Sequence, residues 1–325
     1  MQFLNRVVDE RSLPPEEAEK PRLTQGRRRF YMIVALAMGF CGVVGVYLLT
    51  MPGGHGAMAP ANAFISARYA EATTAMQFDR FGRLVSDFRK TEVPCPKQDE
   101  KTVVILALGQ SNAANTSTQR FVSMHGNKII NYFQGHCMVA QSPLLGATGN
   151  GGEQWTALGN ELIENGGYGR VIIIPAAING SAAKQWSDGD LRTVLDDTLL
   201  SLKDAYVPTI VIWHQGEADF FFETSESEYR EEVTKVARRV RENGVMAPFF
   251  ITVSTRCTPA PQKWEADNPV ARAQHNLVNP ELGIFAGVDA DSALTRNDRY
   301  DGCHLSRTGV TKLADAWAAL IGTRR

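Results

Sequence analysis

The sequence predicts an α/β fold, a three-layer α/β/α sandwich around a central parallel sheet, on two observations. From about residue 95 onwards, short runs of consecutive apolar residues alternate with longer amphipathic stretches. Unbroken Val, Ile and Leu runs are typical of parallel strands buried on both faces, and helices between them are typical of the crossovers such strands need. The roughly 230 residues after residue 95 also suffice for one domain of this kind.

The elements alternate along the chain. Five strands are predicted at residues 103–108, 129–133, 171–174, 209–213 and 249–253. Four helices are predicted at residues 155–164, 191–203, 226–242 and 306–321. Because the carboxyl ends of parallel strands lie at one edge of a sheet, we expect the functional groups in the segments that follow the strands.

Composition excludes several classes of protein. The chain has 325 residues, of which 44% are apolar and 21% charged, as in globular proteins. Its 34 basic and 35 acidic residues nearly cancel, so no nucleic acid partner is expected. A mean hydropathy of -0.20 excludes a membrane protein with many spans, although an average can hide one span.

One candidate span lies near the N-terminus. Residues 30–49 carry no charge and directly follow Arg27, Arg28 and Arg29. Such a stretch is about 30 Å long as a helix, which matches the core of a bilayer. The sequence therefore predicts a cytoplasmic tail at 1–29 and a signal-anchor helix at 30–50. By the positive-inside rule the rest lies outside the cytoplasm, in the periplasm if the source is bacterial. A cleaved signal peptide is the alternative.

A linker and a stalk follow the predicted span. Residues 51–60 are rich in Gly, Pro and Ala, and residues 61–90 place apolar side chains at roughly helical spacing. The sequence predicts a linker and helical stalk at 51–94 and a catalytic domain at 95–325. No feature of the stalk identifies a protein partner.

The first strand is followed by Gly-Gln-Ser-Asn at residues 109–112. A serine in such a turn, at the start of a helix, exposes its hydroxyl close to backbone amides that can bind an oxyanion. The alternative for Ser111 is a common helix N-cap.

Before the last predicted helix, Asp301 precedes His304 by three residues. At that spacing in a helical turn a carboxylate can orient the imidazole that activates a nucleophile. A surface turn is the alternative for this pair.

The fourth strand is followed by His214, Gln215 and Glu217. His214 is expected to be a hydrogen-bonded structural residue, while the amide of Gln215 could reach an oxyanion. His214 and Glu217 lack further ligands nearby, so no metal is expected, and no cofactor either.

Together these segments resemble the SGNH hydrolase superfamily, and within it the sialate O-acetylesterase-like and acetylxylan-esterase-like branch. The resemblance covers residues 100–322 and four blocks in the expected order: GQSN, NGS with a later Trp, WHQGEAD and DGCH. It implies a flavodoxin-like sandwich and a triad of Ser111, His304 and Asp301. The amides of Ser111 and Gly180 and the side chain of Gln215 would form the oxyanion hole. NGS departs from the family pattern, where a second glycine or a threonine is frequent.

The resemblance also implies the function. We expect a serine esterase that removes O-acetyl groups from a polysaccharide or glycan through an acyl-enzyme. An O-acetyltransferase with the same triad, or a non-catalytic glycan-binding protein, is the alternative. The residues expected to contact substrate are Gln110, Asn112, Trp155, Trp186 and Glu217. For the two tryptophans, stacking on a sugar and packing in the core are both open. The glycine-rich loop at 146–152 lacks the Lys-Ser/Thr of a phosphate loop and is expected to form a rim of the site.

Four cysteines would lie outside the membrane, and an oxidising compartment favours two disulfides among them. Three pairings are possible. We favour Cys95–Cys137 and Cys257–Cys303, because the second pair would tie a strand-end loop to the loop of Asp301 and His304.

Overall fold

The computed structural model describes residues 75–258 and 262–323. Its strands are β1 Met76–Phe78, β2 Leu84–Asp87, β3 Glu92–Val93, β4 Thr102–Gly109, β5 Ile129–Phe133, β6 His136–Val139, β7 Arg170–Ala177, β8 Ile210–His214, β9 Phe249–Val253 and β10 Ile284–Asp289. Its helices are α1 Trp155–Glu164, α2 Ala183–Ser187, α3 Arg192–Leu202, α4 Glu217–Phe221, α5 Glu226–Glu242, α6 Pro269–Asn276, α7 Ala290–Ala293 and α8 Arg307–Gly322.

Eight strands form the main sheet in the order β10-β9-β8-β4-β7-β5-β6-β3. The pairs from β10 to β5 are parallel, whereas β6 and β3 pair antiparallel at one edge. The sheet is therefore mixed, with a parallel centre as predicted. β4 lies in the middle, and every one of its residues is buried.

Helices cover both faces of this sheet. On one face, α1 and α8 pack with Trp317 against alternate residues of β4 such as Ile105. On the other, α2, α3, α5 and α6 pack against the intervening residues, among them Leu106. This confirms the layered architecture, because the apolar runs are buried on both sides.

All nine predicted elements are present, with ends shifted by at most a few residues. Elements that the sequence analysis did not predict include β10 and α6. Only Ile284 and Val288 of β10 are buried, and β10 contains Gly287, so it lacks the continuous buried apolar run of β4 or β9.

The predicted helical stalk is wrong where the structure describes it. Residues 76–78 and 84–87 are paired antiparallel strands, and β3 joins the edge of the main sheet. The carboxylate of Asp79 accepts hydrogen bonds from the amides of Phe81 and Arg83 and closes the turn between the strands. Leu84 is fully buried against Phe133. Tertiary packing therefore overrides the helical spacing, and the domain begins before residue 95.

The predicted span at 30–50 lies outside the described residues, as does the stalk before residue 75. Within residues 75–258 and 262–323 no helix has the length and apolar character needed to cross a bilayer.

Two disulfides join Cys95 to Cys137 and Cys257 to Cys303, the pairs favoured from the sequence. The first fastens the chain ahead of β4 to β6, the strand next to edge strand β3. The second fastens the segment after β9 to the segment between β10 and α8.

A ring of five buried polar residues, here called the polar ring, lies beneath the carboxyl ends of β4 and β8. The amide of Gln154 donates to the carbonyl of Asn112 at 2.8 Å and to Nδ1 of His214 at 3.0 Å. Nε2–H of His214 therefore donates to Ser254, whose hydroxyl donates to Glu217. The side chain of Asn112 also donates to Glu217 and closes the ring.

Burial, with a smaller contribution from the charge of Arg299, lowers the pKa of His214 from 6.5 to about 3. Between these pH values the unfolded chain binds one proton more than the folded protein. We therefore expect the free energy of unfolding to fall by about 1.4 kcal/mol per pH unit on this account as the pH drops through this range.

Denaturant titrations of wild type and His214→Gln at several pH values measure this effect. The slope of the variant should be smaller by the contribution of one proton, and His136→Gln, at an exposed residue of β6, provides the control. Equal slopes in wild type and His214→Gln would contradict a neutral buried His214.

Candidate active site

The ends of three neighbouring strands bring the predicted site residues together. Gly109, the last residue of β4, pairs with Ala177 on β7 and with His214 on β8. The segments after these strands, together with the loop before α8, enclose a cavity of about 390 Å³, here called the central cavity. Its wall includes Gln110, Ser111, Gly180, Glu217 and His304.

Ser111 lies on a tight turn directly after β4. Gly109 has φ +142°, and a Cβ there would lie 2.0 Å from the carbonyl oxygen of His214, so only glycine fits. Ser111–Ala113 forms a 3-10 turn and not the start of an α-helix, which corrects the expected local structure. The backbone N–H of Ser111 donates to none of the described groups, and Ser111 lines the central cavity.

Asp301 and His304 form a hydrogen-bonded pair. Oδ2 of Asp301 lies 2.7 Å from Nδ1 of His304, which leaves Nε2 for another partner. Oδ1 accepts from the amides of Cys303 and His304, so the pair lies in an Asx-type turn and not in the helical turn that was expected. Partial burial alone would raise the pKa of Asp301, but these hydrogen bonds outweigh burial and lower it. The carboxylate is therefore ionised near neutral pH.

His304 and Ser111 line the same cavity, although no hydrogen bond joins Ser111 Oγ to the imidazole in this structure. Such catalytic hydrogen bonds frequently form only once substrate is bound. The ring of Tyr300 stacks on His304 with centroids 6.0 Å apart, and its hydroxyl donates to the carbonyl of Thr116. The imidazole is thus supported on one face as well as through Nδ1.

Gly180 presents a backbone amide to the central cavity. Its φ is +66°, and its N–H donates to no described group. The preceding residue is fixed by Thr148, whose hydroxyl accepts from the amide of Asn179 and donates to its side-chain oxygen. The backbone N–H groups of Ser111 and Gly180 thus both lack a described acceptor, and the predicted oxyanion hole at these amides stays a prediction.

The structure does not support the predicted role of the Gln215 side chain. Gln215 is fully buried, and Nε2 lies within hydrogen-bond distance of three acceptors: Gln110 Oε1, the carbonyl of Ser181 and the carboxylate of Asp219. Both of its amide hydrogens therefore bond to acceptors within the protein. The sequence could not show this, because the acceptors come from three separate segments.

Two other predicted contact residues are structural. The amide of Asn112 donates to Oε1 of Glu217 at 2.6 Å and to the carbonyl of Cys303 at 3.2 Å, and the residue is buried. Glu217 reaches the wall of the central cavity but is 1% exposed. Burial raises the pKa of Glu217, against the hydrogen bonds from Asn112 and Ser254 and the charge of Arg299. Both side chains connect segments and neither is free for substrate.

The prediction that Trp155 and Trp186 contact the substrate by stacking on a sugar is also wrong. Trp155 and Trp186 are fully buried, and their ring N–H groups donate to the Ala113 carbonyl and the Ser181 hydroxyl. The core-packing alternative is therefore correct. Trp155 supports the turn of Ser111 from below, because the carbonyl it holds belongs to that turn.

Other aromatic side chains lie at the site instead. Phe221 and Phe222, 46% and 61% exposed, form the apolar wall of the central cavity beside the Cys257–Cys303 disulfide. The sequence contained the signal: three consecutive phenylalanines, Phe220 to Phe222, follow the polar segment after β8, and core packing cannot use all three.

A polar cleft of about 620 Å³, here called the outer cleft, adjoins the central cavity through Asn179 and His304, which line both. Its walls come from residues 115–118 and from 149–151 within the glycine-rich loop. Paired amide–carbonyl hydrogen bonds between Ser117 and Gly152 hold the two walls together. The glycine-rich loop thus borders the site, as expected from the sequence.

Several solved structures are similar to this chain, and the first of them supports this architecture. An X-ray structure of a protein from Arabidopsis thaliana has a TM-score of 0.52 at 18% identity and covers 69% of this chain and 98% of its own. A carbohydrate acetylesterase from Xanthomonas citri has a TM-score of 0.43 at 18% identity, over 68% of this chain and 55% of that one. Est24, a carbohydrate acetylesterase from Sinorhizobium meliloti, has a TM-score of 0.41 at 15% identity, over 69% and 99%. At these identities the likeness concerns the fold alone.

Among curated proteins, no relative matches this chain. The sequence profile of one family, described as carbohydrate esterase, sialic acid-specific acetylesterase, matches residues 101–321. That range contains all four sequence blocks and both cavities. Because the match spans more than half of the chain, the protein belongs to this family of carbohydrate esterases and is a carboxylic ester hydrolase.

Proposed function

We propose that the protein is a serine esterase that removes O-acetyl groups from a carbohydrate with a triad of Ser111, His304 and Asp301. The observation that carries the proposal is the contact between Asp301 Oδ2 and His304 Nδ1 at 2.7 Å, with His304 beside Ser111 in one cavity. A glycan-binding protein has no need of an oriented imidazole in the same cavity wall as a serine. The family's acetylesterase activity adds to this support.

In the first half of the reaction, Nε2 of His304 takes the proton of Ser111 Oγ, and Oγ attacks the acetyl carbonyl carbon. The carbonyl oxygen becomes an oxyanion that accepts from the amides of Ser111 and Gly180. Removing one such donor typically costs about 3–4 kcal/mol of transition-state stabilisation. When the C–O bond to the sugar breaks, His304 returns its proton to the leaving sugar oxygen, and the acetyl group stays on Ser111.

In the second half, His304 takes a proton from water, and the hydroxide attacks the acetyl carbon. Cleavage of the ester to Ser111 releases acetate, and the proton of His304 restores the serine hydroxyl. Asp301 remains ionised throughout and stabilises the imidazolium, as its lowered pKa allows.

The position of His304 indicates which cavity would bind the acetyl group and which would bind the sugar. The leaving sugar oxygen must lie beside His304, which lines the outer cleft, whereas Ser111 lines only the central cavity. We therefore place the acetyl group in the central cavity and the sugar in the outer cleft. The cleft offers the groups that sugars need, namely polar side chains, backbone amides and the half-exposed ring of Tyr300.

We also propose that the domain works outside the cytoplasm, attached through the predicted span at 30–50. Two disulfides support an oxidising compartment, since cytoplasmic thiols are normally kept reduced.

The first prediction concerns Ser111. The purified full-length protein should release acetate from p-nitrophenyl acetate and from acetylated polysaccharides, and Ser111→Ala should lower kcat at least a thousandfold because the nucleophile is lost. Ser201→Ala, at a serine of α3 that has a structural hydrogen bond and lies outside both cavities, is the matched control. Equal turnover by Ser111→Ala would exclude the triad. Serine-dependent transfer of acetyl to an added oligosaccharide, without free acetate, would establish a transferase.

The second prediction concerns the outer cleft. Tyr300→Ala should lower the ratio of kcat/KM for an acetylated oligosaccharide to kcat/KM for p-nitrophenyl acetate by about tenfold, because one aromatic contact with the sugar is lost. An effect of the substitution on His304 would lower kcat/KM for both substrates alike, so it cancels in this ratio. Val122→Ala, at an exposed residue outside both cavities, should keep the wild-type ratio. An unchanged ratio in Tyr300→Ala would place the sugar elsewhere.

The third prediction concerns location. Thiol trapping in cells of the source organism should find Cys95, Cys137, Cys257 and Cys303 oxidised, and the protein should sediment with membranes. A variant lacking residues 1–50 should not sediment with them. Four free thiols in the protein as it is made in the cell would exclude an oxidising compartment.

A further inference from the structure

The oxyanion hole proposed above has two backbone donors, and a third donor is expected from a side chain. The structure rules out Gln215 for this task. Its Nε2 faces Gln110 Oε1, the Ser181 carbonyl and the Asp219 carboxylate, all of which only accept hydrogen bonds. Turning the amide over would place a carbonyl oxygen against these acceptors, so its orientation is fixed.

The side-chain amide of Gln110 has donors around its oxygen, whereas that of Gln215 has acceptors around its nitrogen. Its Oε1 accepts from the backbone amide of Ala218 at 3.0 Å, from that of Gly216 at 3.3 Å and from Gln215 Nε2 at 3.1 Å. Because all three neighbours are donors, the oxygen must lie on this side and Nε2 on the other. None of the described groups accepts a hydrogen bond from Nε2.

The free amide lies beside the reacting groups. Gln110 immediately precedes Ser111, and it lines the central cavity together with Ser111, Gly180 and His304. A buried amide nitrogen with no internal acceptor would be costly, and Nε2 is not among the buried polar atoms that lack a partner. Nε2 is therefore open to the cavity.

We propose that the side-chain amide of Gln110 is the third donor of the oxyanion hole and that Gln215 acts only by positioning it. The inference rests on the esterase function proposed above. Gln110 Nε2–H would donate to the acetyl carbonyl oxygen as it gains negative charge, alongside the amides of Ser111 and Gly180. Gln215 holds Oε1 from behind, and Asp219, itself fixed by the amide of Ala183, holds Gln215.

This arrangement is rigid before substrate arrives. The Gln110 amide has one orientation, and three donors fix its oxygen, so no reorganisation is needed as charge develops. Preorganised donors of this kind stabilise the transition state more than the ground state, so their loss acts on kcat. A residue that only bound the ground state would act on KM.

Gln110→Glu tests the inference in the full-length protein, because the side chain keeps its shape and its acceptor and loses only the N–H donors. The introduced carboxylate can still accept from Ala218, Gly216 and Gln215, so the fold is retained. We expect kcat for p-nitrophenyl acetate to fall about 100- to 1000-fold, with KM within about threefold of wild type. Gln98→Glu makes the same change near the amino ends of the strands, where Gln98 bonds Val207, and should leave kcat unchanged.

A pH series separates donation from packing. A buried carboxyl group has a raised pKa, and its protonated form has an O–H that can donate to the oxyanion. The ratio of variant to wild-type kcat should therefore rise as the pH is lowered from 8 to 5. A constant ratio, with a wild-type melting temperature, would indicate a packing role and overturn the inference.

The remaining outcomes separate this inference from the proposed function. Wild-type hydrolysis that requires Ser111 but is unchanged in Gln110→Glu would overturn the role of Gln110 alone. A wild-type protein without Ser111-dependent hydrolysis would overturn both.

Discussion

The relative position of Ser111 and His304 depends on one backbone carbonyl, that of Cys303. It accepts from the side chain of Asn112 at 3.2 Å and from Arg299 at 2.6 Å, and the two residues are 191 and 4 positions away in sequence. Asn112 adjoins Ser111 and Cys303 adjoins His304, so this oxygen links the turn of the proposed nucleophile to the loop of the proposed base. The Cys257–Cys303 disulfide adds a covalent tie to the segment after β9. The polar ring then holds Asn112 itself, so the geometry of the site is determined by buried hydrogen bonds.

The parts of the protein that local patterns determine could be predicted. β4 and β9 are continuous apolar runs because both of their faces are covered, and α5 repeats buried positions at helical spacing over 17 residues. Once the strands are placed, parallel topology sends their carboxyl ends to one edge, so Ser111 after β4 and Gly180 after β7 had to approach each other. Gly109, directly after the apolar run of β4, likewise indicated a tight turn.

The parts of the protein that depend on contacts between distant segments could not be predicted from the sequence. Residues 76–90 have helical spacing, yet Leu84 finds its partners on β5 and in the loop after β6, and those contacts favour a strand. Trp155 is amphipathic and could have faced solvent or the core, and only the position of the Ala113 carbonyl decides between them. Gln110 and Gln215 are chemically identical side chains in adjoining segments. Which of them has a free amide depends on Asp219 and Ser181, and no pattern within one segment reveals that.

The long separation between the two halves of the site has a consequence for how the protein is made. The chain emerges during synthesis from its N-terminal end, so β4 with Ser111 appears well before Asp301 and His304, which precede only α8. β4 also lies between β7 and β8, which are both later in the chain. By the mechanism proposed above, a nascent or truncated polypeptide therefore holds Ser111 without His304 beside it and would not cleave esters. On that mechanism, hydrolysis begins only after the last crossover has docked, so activity reports complete folding.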